Sequence, residues 1–237
     1  MEVQWFSFVS TAVAVSGFVW SLSIYFSPLL QVENWLLDLR VAVFASENRG
    51  VGQVVIVGID EDSLASLMYR QPVDRAFLAS IVEKIDAAKP LAIGLDVLLD
   101  QPTEPAKDQQ LKNALNAVRA PLFAAFATGD DALTPRQVEF LSEFVPQHKR
   151  AVVNLRRDSI DGVVRSVLAQ GTGHGTGSIP GLANAMASSV SRAMSNPGRD
   201  MEIIGLQRAV DGSPAAFPVY PAHLVAQLPA SWFADKL

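Results

Sequence analysis

The sequence predicts an α/β fold, a mostly parallel sheet flanked by helices, preceded by one N-terminal transmembrane helix. Three observations carry this expectation. Short β-branched runs alternate with stretches of helical periodicity from residue 53 onward. The thirty residues Val3–Val32 contain no Asp, Glu, Lys, Arg or His. Every charged residue except Glu2 lies beyond them. Two parts follow: a membrane span over 1–32 and a folded domain over 33–237.

The elements can be justified in order. About 20 apolar residues suffice to cross a bilayer, and aromatic residues favour its interfaces. Trp5, Phe6 and Phe8 sit near one end of the uncharged run, with Trp20, Tyr25 and Phe26 towards the other. Pro28 is the expected stop. A cleaved signal peptide would need a positive leader, but only Met1 and Glu2 precede the run. No lysine or arginine occurs before Arg40, so charge does not set the orientation. Val32–Phe44 places Val32, Trp35, Leu36, Leu39 and Val43 on one helical stripe. Gln53–Ile59 and Leu91–Leu99 read as buried strands, being short, apolar and β-branched. Between them, Asp60 or Asp62 caps a short helix over 60–67. Pro72 opens a longer helix, Val73–Ala88, which Lys89–Pro90 ends. Further helices are expected at Lys107–Arg119, Pro135–Phe144, Ile179–Met194 and around Ala222–Leu228. Further strands are expected at Pro121–Ala127, Ala151–Leu155, Val163–Ala169 and Met201–Leu206.

Composition narrows the function. The net charge is −5, and no basic surplus points to nucleic acid. The chain has no cysteine, which excludes disulfides, thiol nucleophiles and thiolate metal sites. Gln170–Ser178 (QGTGHGTGS) is rich in glycine but matches neither GxxxxGK[ST] nor GxGxxG. It reads as a flexible surface loop. No Ser–His–Asp order or HExxH is visible, and no metal or cofactor site is expected.

Carboxylates carry what chemistry remains. Asp60 follows one predicted parallel strand and Asp96 sits at the carboxyl end of another, and ligands of open α/β sheets bind at that edge. With Arg75, they are the candidate ligand-binding residues. Asp60 and Asp62 also resemble the opening DxD of haloacid-dehalogenase phosphatases, where the first aspartate is the nucleophile. Leu64 departs from that pattern, and no lysine stands where that family needs one. Asp158, Asp161, Gly162 and Arg165 (DSIDGVVR) form an acidic turn followed by an arginine, read as a structural ion pair.

Four landmarks together resemble the CHASE type 2 family of extracytoplasmic sensory domains. They are Glu33, Asp38 and Arg40 after the membrane helix; Ile59-Asp60-Glu61 with Ser63-Leu64; Pro72 and Arg75 with Ile93-Gly94, Asp96-Val97-Leu98; and Asp158, Asp161-Gly162-Val163-Val164-Arg165. The resemblance covers roughly residues 30–237. A tryptophan often found beside the proline is missing here, where Gln71 and Val73 flank Pro72. The resemblance implies a non-catalytic receptor domain, anchored in the inner membrane and facing the periplasm or cell exterior. It implies an unknown small-molecule or envelope ligand and a cytoplasmic output module: a cyclase, histidine kinase, diguanylate cyclase or Ser/Thr kinase. The family pattern would continue past Leu237 into an apolar strand, membrane helices and that module, so the sequence reads as the input half alone: a fragment, a truncated product or a stand-alone anchored domain. A homodimer fits the design, though no residue marks an interface. The alternatives are a membrane-tethered phosphatase using Asp60 and Asp62, and a non-catalytic envelope interaction protein.

Overall fold

The structure, a computed structural model, describes residues 2–25, 27–45, 54–127, 133–168, 170–173, 177–190, 201–203, 209, 215–227 and 229. Two helices come first, α1 (Glu2–Tyr25) and α2 (Ser27–Phe44). Residue 26, which separates them, lies outside the described residues. Pro28, the expected stop, lies within the helical stretch Ser27–Phe44 and does not end it. Every described side chain of α1, Phe8 to Ser21, is exposed. Among the described residues no helix is long and apolar enough to cross a membrane, so the transmembrane helix expected over residues 1–32 finds no support here.

The body begins with β1 (Ile56–Gly58) and α3 (Glu61–Ala65). Then come α4 (Arg75–Ala87), β2 (Ile93–Leu95), α5 (Pro105–Ala117) and β3 (Leu122–Phe126). They are followed by α6 (Pro135–Phe144), a 3₁₀ turn at Gln147–Lys149 and β4 (Arg150–Val152). Strands β2, β3 and β4 pair in parallel, in that order. The right neighbours in sequence thus become neighbours in space through helical crossovers. Leu122, Ala124, Ala125 and Phe126 are each no more than 3% exposed. Successive strand residues point to opposite faces, so the sheet is covered on both.

The helices are set by local chemistry. Asp74 caps α4, accepting from the N–H groups of Ala76 and Phe77 at 2.8 and 3.1 Å. The helix therefore starts at Arg75 rather than at Val73, and Pro72 lies in the loop before it. Leu78, Ile81 and Val82 lie 7% exposed or less along its inner face, each contributing roughly 1.5–3 kcal/mol of burial. Lys89, at φ 59°, turns the chain out of the helix. Thr134 and Gln137 close a reciprocal capping box on α6. Arg150 satisfies that helix's far end, donating to the carbonyls of Val145 (2.9 Å) and Ser142 (2.7 Å). The main apolar core joins α4, α5 and α6 to β2, β3 and β4.

The remainder is antiparallel or peripheral. β5 (Leu155–Arg157), β6 (Val164–Leu168) and β9 (Met201–Ile203) form an antiparallel sheet with β6 in the middle. β7 (Gln170–Gly173) and β8 (Gly177–Pro180) form a hairpin, and α7 (Leu182–Val190) follows. β10 (Val219–Pro221) pairs in parallel with β1, and α8 (Ala222–Gln227) closes a smaller core against α4.

The hairpin corrects the expectation of a flexible loop at 170–178. Gly171, Gly173 and Gly177 pair as strand residues, and Gly171 is buried against β4. A Cβ on Gly171 would stand 2.6 Å from Val152 Cγ1, and Val152 is 4% exposed. Gly171→Ala is expected to lower unfolding stability by about 1–3 kcal/mol. Val152→Ala in the same chain should recover part of that loss in a urea titration. An additive double variant would refute the close approach.

Candidate functional site

Three polar clusters stand out, and the first joins α2 to the body. The DSIDGVVR segment makes a tight turn between β5 and β6. Gly162 takes φ +73°, a left-handed conformation that suits glycine. Its N–H donates to the Asp158 carbonyl at 2.9 Å. Asp158 and Asp161 accept from the backbone N–H groups of Ile160 and Val163. The turn aims Arg165 outward from β6 to two carboxylates at once. Its Nη1 and Nη2 donate to Asp161 at 3.0 and 2.6 Å. Its Nε and Nη2 donate to Asp38 of α2 at 2.9 and 2.6 Å. A second bond runs beside it, from Asn34 Nδ2 to Asp158 at 2.9 Å.

The electrostatics follow from that fork. The hydrogen bonds from Arg165, then the Val163 N–H, hold the Asp161 carboxyl down to about 2. Hydrogen bonding from Arg165 likewise lowers Asp38, and the two carboxylates raise the arginine. All three groups stay charged at neutral pH. The predicted ion pair of Asp161 and Arg165 is thus present. Its reach to Asp38, across 127 residues of sequence, is the part sequence reasoning missed. Arg40 is exposed, with no hydrogen bond or ion pair described.

The second cluster lies at the carboxyl edge of the parallel sheet, where helices α4, α5 and α6 begin. Arg75, 1% exposed, donates to the Gln101 carbonyl at 3.2 Å and lies 3.7 Å from Asp108. Its Nε is buried without a hydrogen-bond partner. Burial pushes the guanidinium below its usual value, yet arginine remains protonated. Asp108 in turn accepts from the Thr103 N–H and hydroxyl at 2.9 and 2.7 Å. Alongside, Lys107 bridges Asp74 at 2.6 Å and Glu104 at 3.0 Å. The Tyr69 hydroxyl donates to Glu104 at 2.6 Å. The Tyr69 hydroxyl and then Lys107 hold Glu104 down to about 2.

The third cluster forms around Asp60. Its Oδ1 accepts from the Ser63 N–H at 2.8 Å and the Ser63 hydroxyl at 2.6 Å, capping α3 as the sequence predicts. The same hydroxyl accepts from the His223 N–H at 3.2 Å and lies 3.1 Å from His223 Nδ1. Serine, histidine and aspartate therefore meet, which the scattered sequence positions hid. Ser63 is 0% exposed and bonded directly to the carboxylate, so it is not placed as a nucleophile. It pins α8 to α3. A phosphatase nucleophile at Asp60 is not supported either, because the carboxylate is engaged in its own helix cap. Asp130 and Asp131, the acidic pair that such an enzyme would add, lie outside the described residues.

No described hydrogen bond or ion pair joins Asp60, Asp96 and Arg75. Strands β1 and β2 belong to separate ladders. Asp60 serves α3, Arg75 is sealed among loop and helix atoms, and Asp96 is exposed after β2.

A family model described as "CHASE2 domain" matches residues 11–237. No curated protein and no solved structure matches the chain.

Proposed function

The chain belongs to the CHASE2 domain family of extracytoplasmic sensory domains in signalling receptors, and from that premise we propose a membrane-anchored input module, facing the periplasm or cell exterior. It passes ligand binding to a cytoplasmic output module encoded outside residues 1–237. One observation carries the reading: Arg165 ties α2, the helix that leads out of the uncharged N-terminal run, to the turn between β5 and β6. A shift in that turn is thereby felt by the helix. The anchor reading rests on the uncharged run Val3–Val32. A ligand acts here by binding one arrangement of the two parts more tightly than another. Of the three candidate contacts, Asp96 is the one left open, since Arg75 is buried and Asp60 is committed to its cap. The alternative of a purely structural envelope partner has no separate observation in its favour.

The topology is testable directly. Alkaline phosphatase, which folds only outside the cytoplasm, is fused after residue 180 and is expected to be active. An inactive fusion, with a fluorescent reporter at the same point lighting up in the cytoplasm, would reverse the orientation.

A further inference from the structure

Helix α2 has two faces with different tasks. Asn34, Leu37, Val41 and Ala45 are half-buried, on the side that meets the body. Asn34 and Asp38 supply its polar contacts there. Opposite them, Val32, Leu36, Leu39 and Val43 are exposed at 53%, 52%, 48% and 57%. Their spacing alternates four, three and four residues. That is the a/d spacing of a two-stranded coiled coil, with the exposed Trp35 widening the apolar face on one flank. In this register Val32 and Leu39 fall at d, and Leu36 and Val43 at a. Asn34 and Val41 fall at f, the position farthest from the seam, which is the face already docked on the body.

We propose that this seam is covered by α2 of a second copy of the chain, in a parallel pair. The inference rests on the anchored reading: two copies inserted in one membrane the same way carry their α1 helices in the same direction. The flanks of the seam agree with it. In a parallel pair the e position of one helix faces g of the other. Arg40, at e, then meets the partner copy's Trp35, at g. Arg40 has no described partner within its own chain, and Trp35 is 65% exposed. A guanidinium over an indole is an attractive pair. The other flank sets Glu33 against Pro28, so no like charges face each other. A lipid surface fits less well, because Glu33 and Arg40 border the stripe on the same side.

The chain has no cysteine, so an introduced one reports alone. Leu36→Cys, Leu39→Cys and Val41→Cys are made singly in the full chain and oxidised in isolated membranes. Disulfide dimers at twice 25.5 kDa are expected for Leu36→Cys and for Leu39→Cys, but not for Val41→Cys. Dimers formed only when the first two variants are mixed indicate an antiparallel pair and overturn the proposal. Equal cross-linking at all three positions, or none, overturns it too. Leu36→Glu guards against a folding artefact: its circular dichroism should match wild type while sedimentation in density-matched detergent falls from dimer to monomer. A sedimentation value that does not change overturns the proposal. Membrane fractionation of the same samples reads the anchor separately. A chain found in the soluble fraction counts against the anchor, while the cross-links still decide the seam.

Discussion

Arg165→Ala is expected to detach α2 from the body while leaving the parallel sheet intact. The arginine is the shared donor for Asp38 and Asp161, and removing it leaves two carboxylates facing an empty position. Of the described hydrogen bonds between α2 and the turn, the one from Asn34 to Asp158 would remain. Spin labels on Phe44→Cys and Ile160→Cys, both on exposed residues, should give one narrow distance distribution in the wild type and a broad one in the variant. Arg165→Lys should broaden it as well, because an ammonium is a point charge and does not fork between two carboxylates. The pH dependence has a definite sign. The folded-state values of Asp161 (about 2) and Asp38 are depressed. The stabilisation is therefore complete above the unfolded carboxylate value of roughly 3.9 and is lost as pH falls towards the folded value. The distribution should stay unchanged from pH 7 to about 4 and widen below that. Narrow distances in Arg165→Ala would sink the bridge as the element that couples helix to body.

The largest loss of stability is expected from Arg75→Ala. Its guanidinium is buried beside Asp108, holds the Gln101 carbonyl and packs 5.9 Å above the ring of Phe144. Breaking a buried ion pair from one side costs about 3–5 kcal/mol. The low end applies, since the 3.7 Å contact to Asp108 is long and that carboxylate keeps both donors of Thr103. About 3 kcal/mol is a large part of the 5–15 kcal/mol that keeps a domain folded. Urea unfolding of the full chain in detergent measures it. A shift under about 0.5 kcal/mol, the scale of an ordinary surface substitution, would return Arg75 to the list of open ligand contacts.

Features governed by neighbouring residues were legible in the sequence. The Asp60 cap, the Asp161-Gly162 turn and the helix Pro135–Phe144 each rest on side chains within a few positions. The strand over 91–99 was overestimated: only Ile93–Leu95 pairs, and the apolar residues after it fill the core as loop. Apolar content reports burial, not hydrogen bonding. Strand β10 was missed because Val219–Pro221 is three residues long and is held by β1, more than 160 positions earlier. The glycine-rich hairpin was missed because its composition signals turns, whereas its pairing depends on Val152 leaving room for no side chain at Gly171. At the sites, Arg75 read as an open ligand contact because arginine is seldom buried. Asp38 and Arg165 both stood out, but nothing local says that they meet.

Neither described apolar cluster contains a residue before Val57. Mechanically, α2 is fastened to the body by polar contacts and is not welded into its interior. A sideways load on the helix strains the guanidinium fork before it disturbs the buried core. Such a joint acts as a clutch: it slips and re-engages without melting the parts on either side.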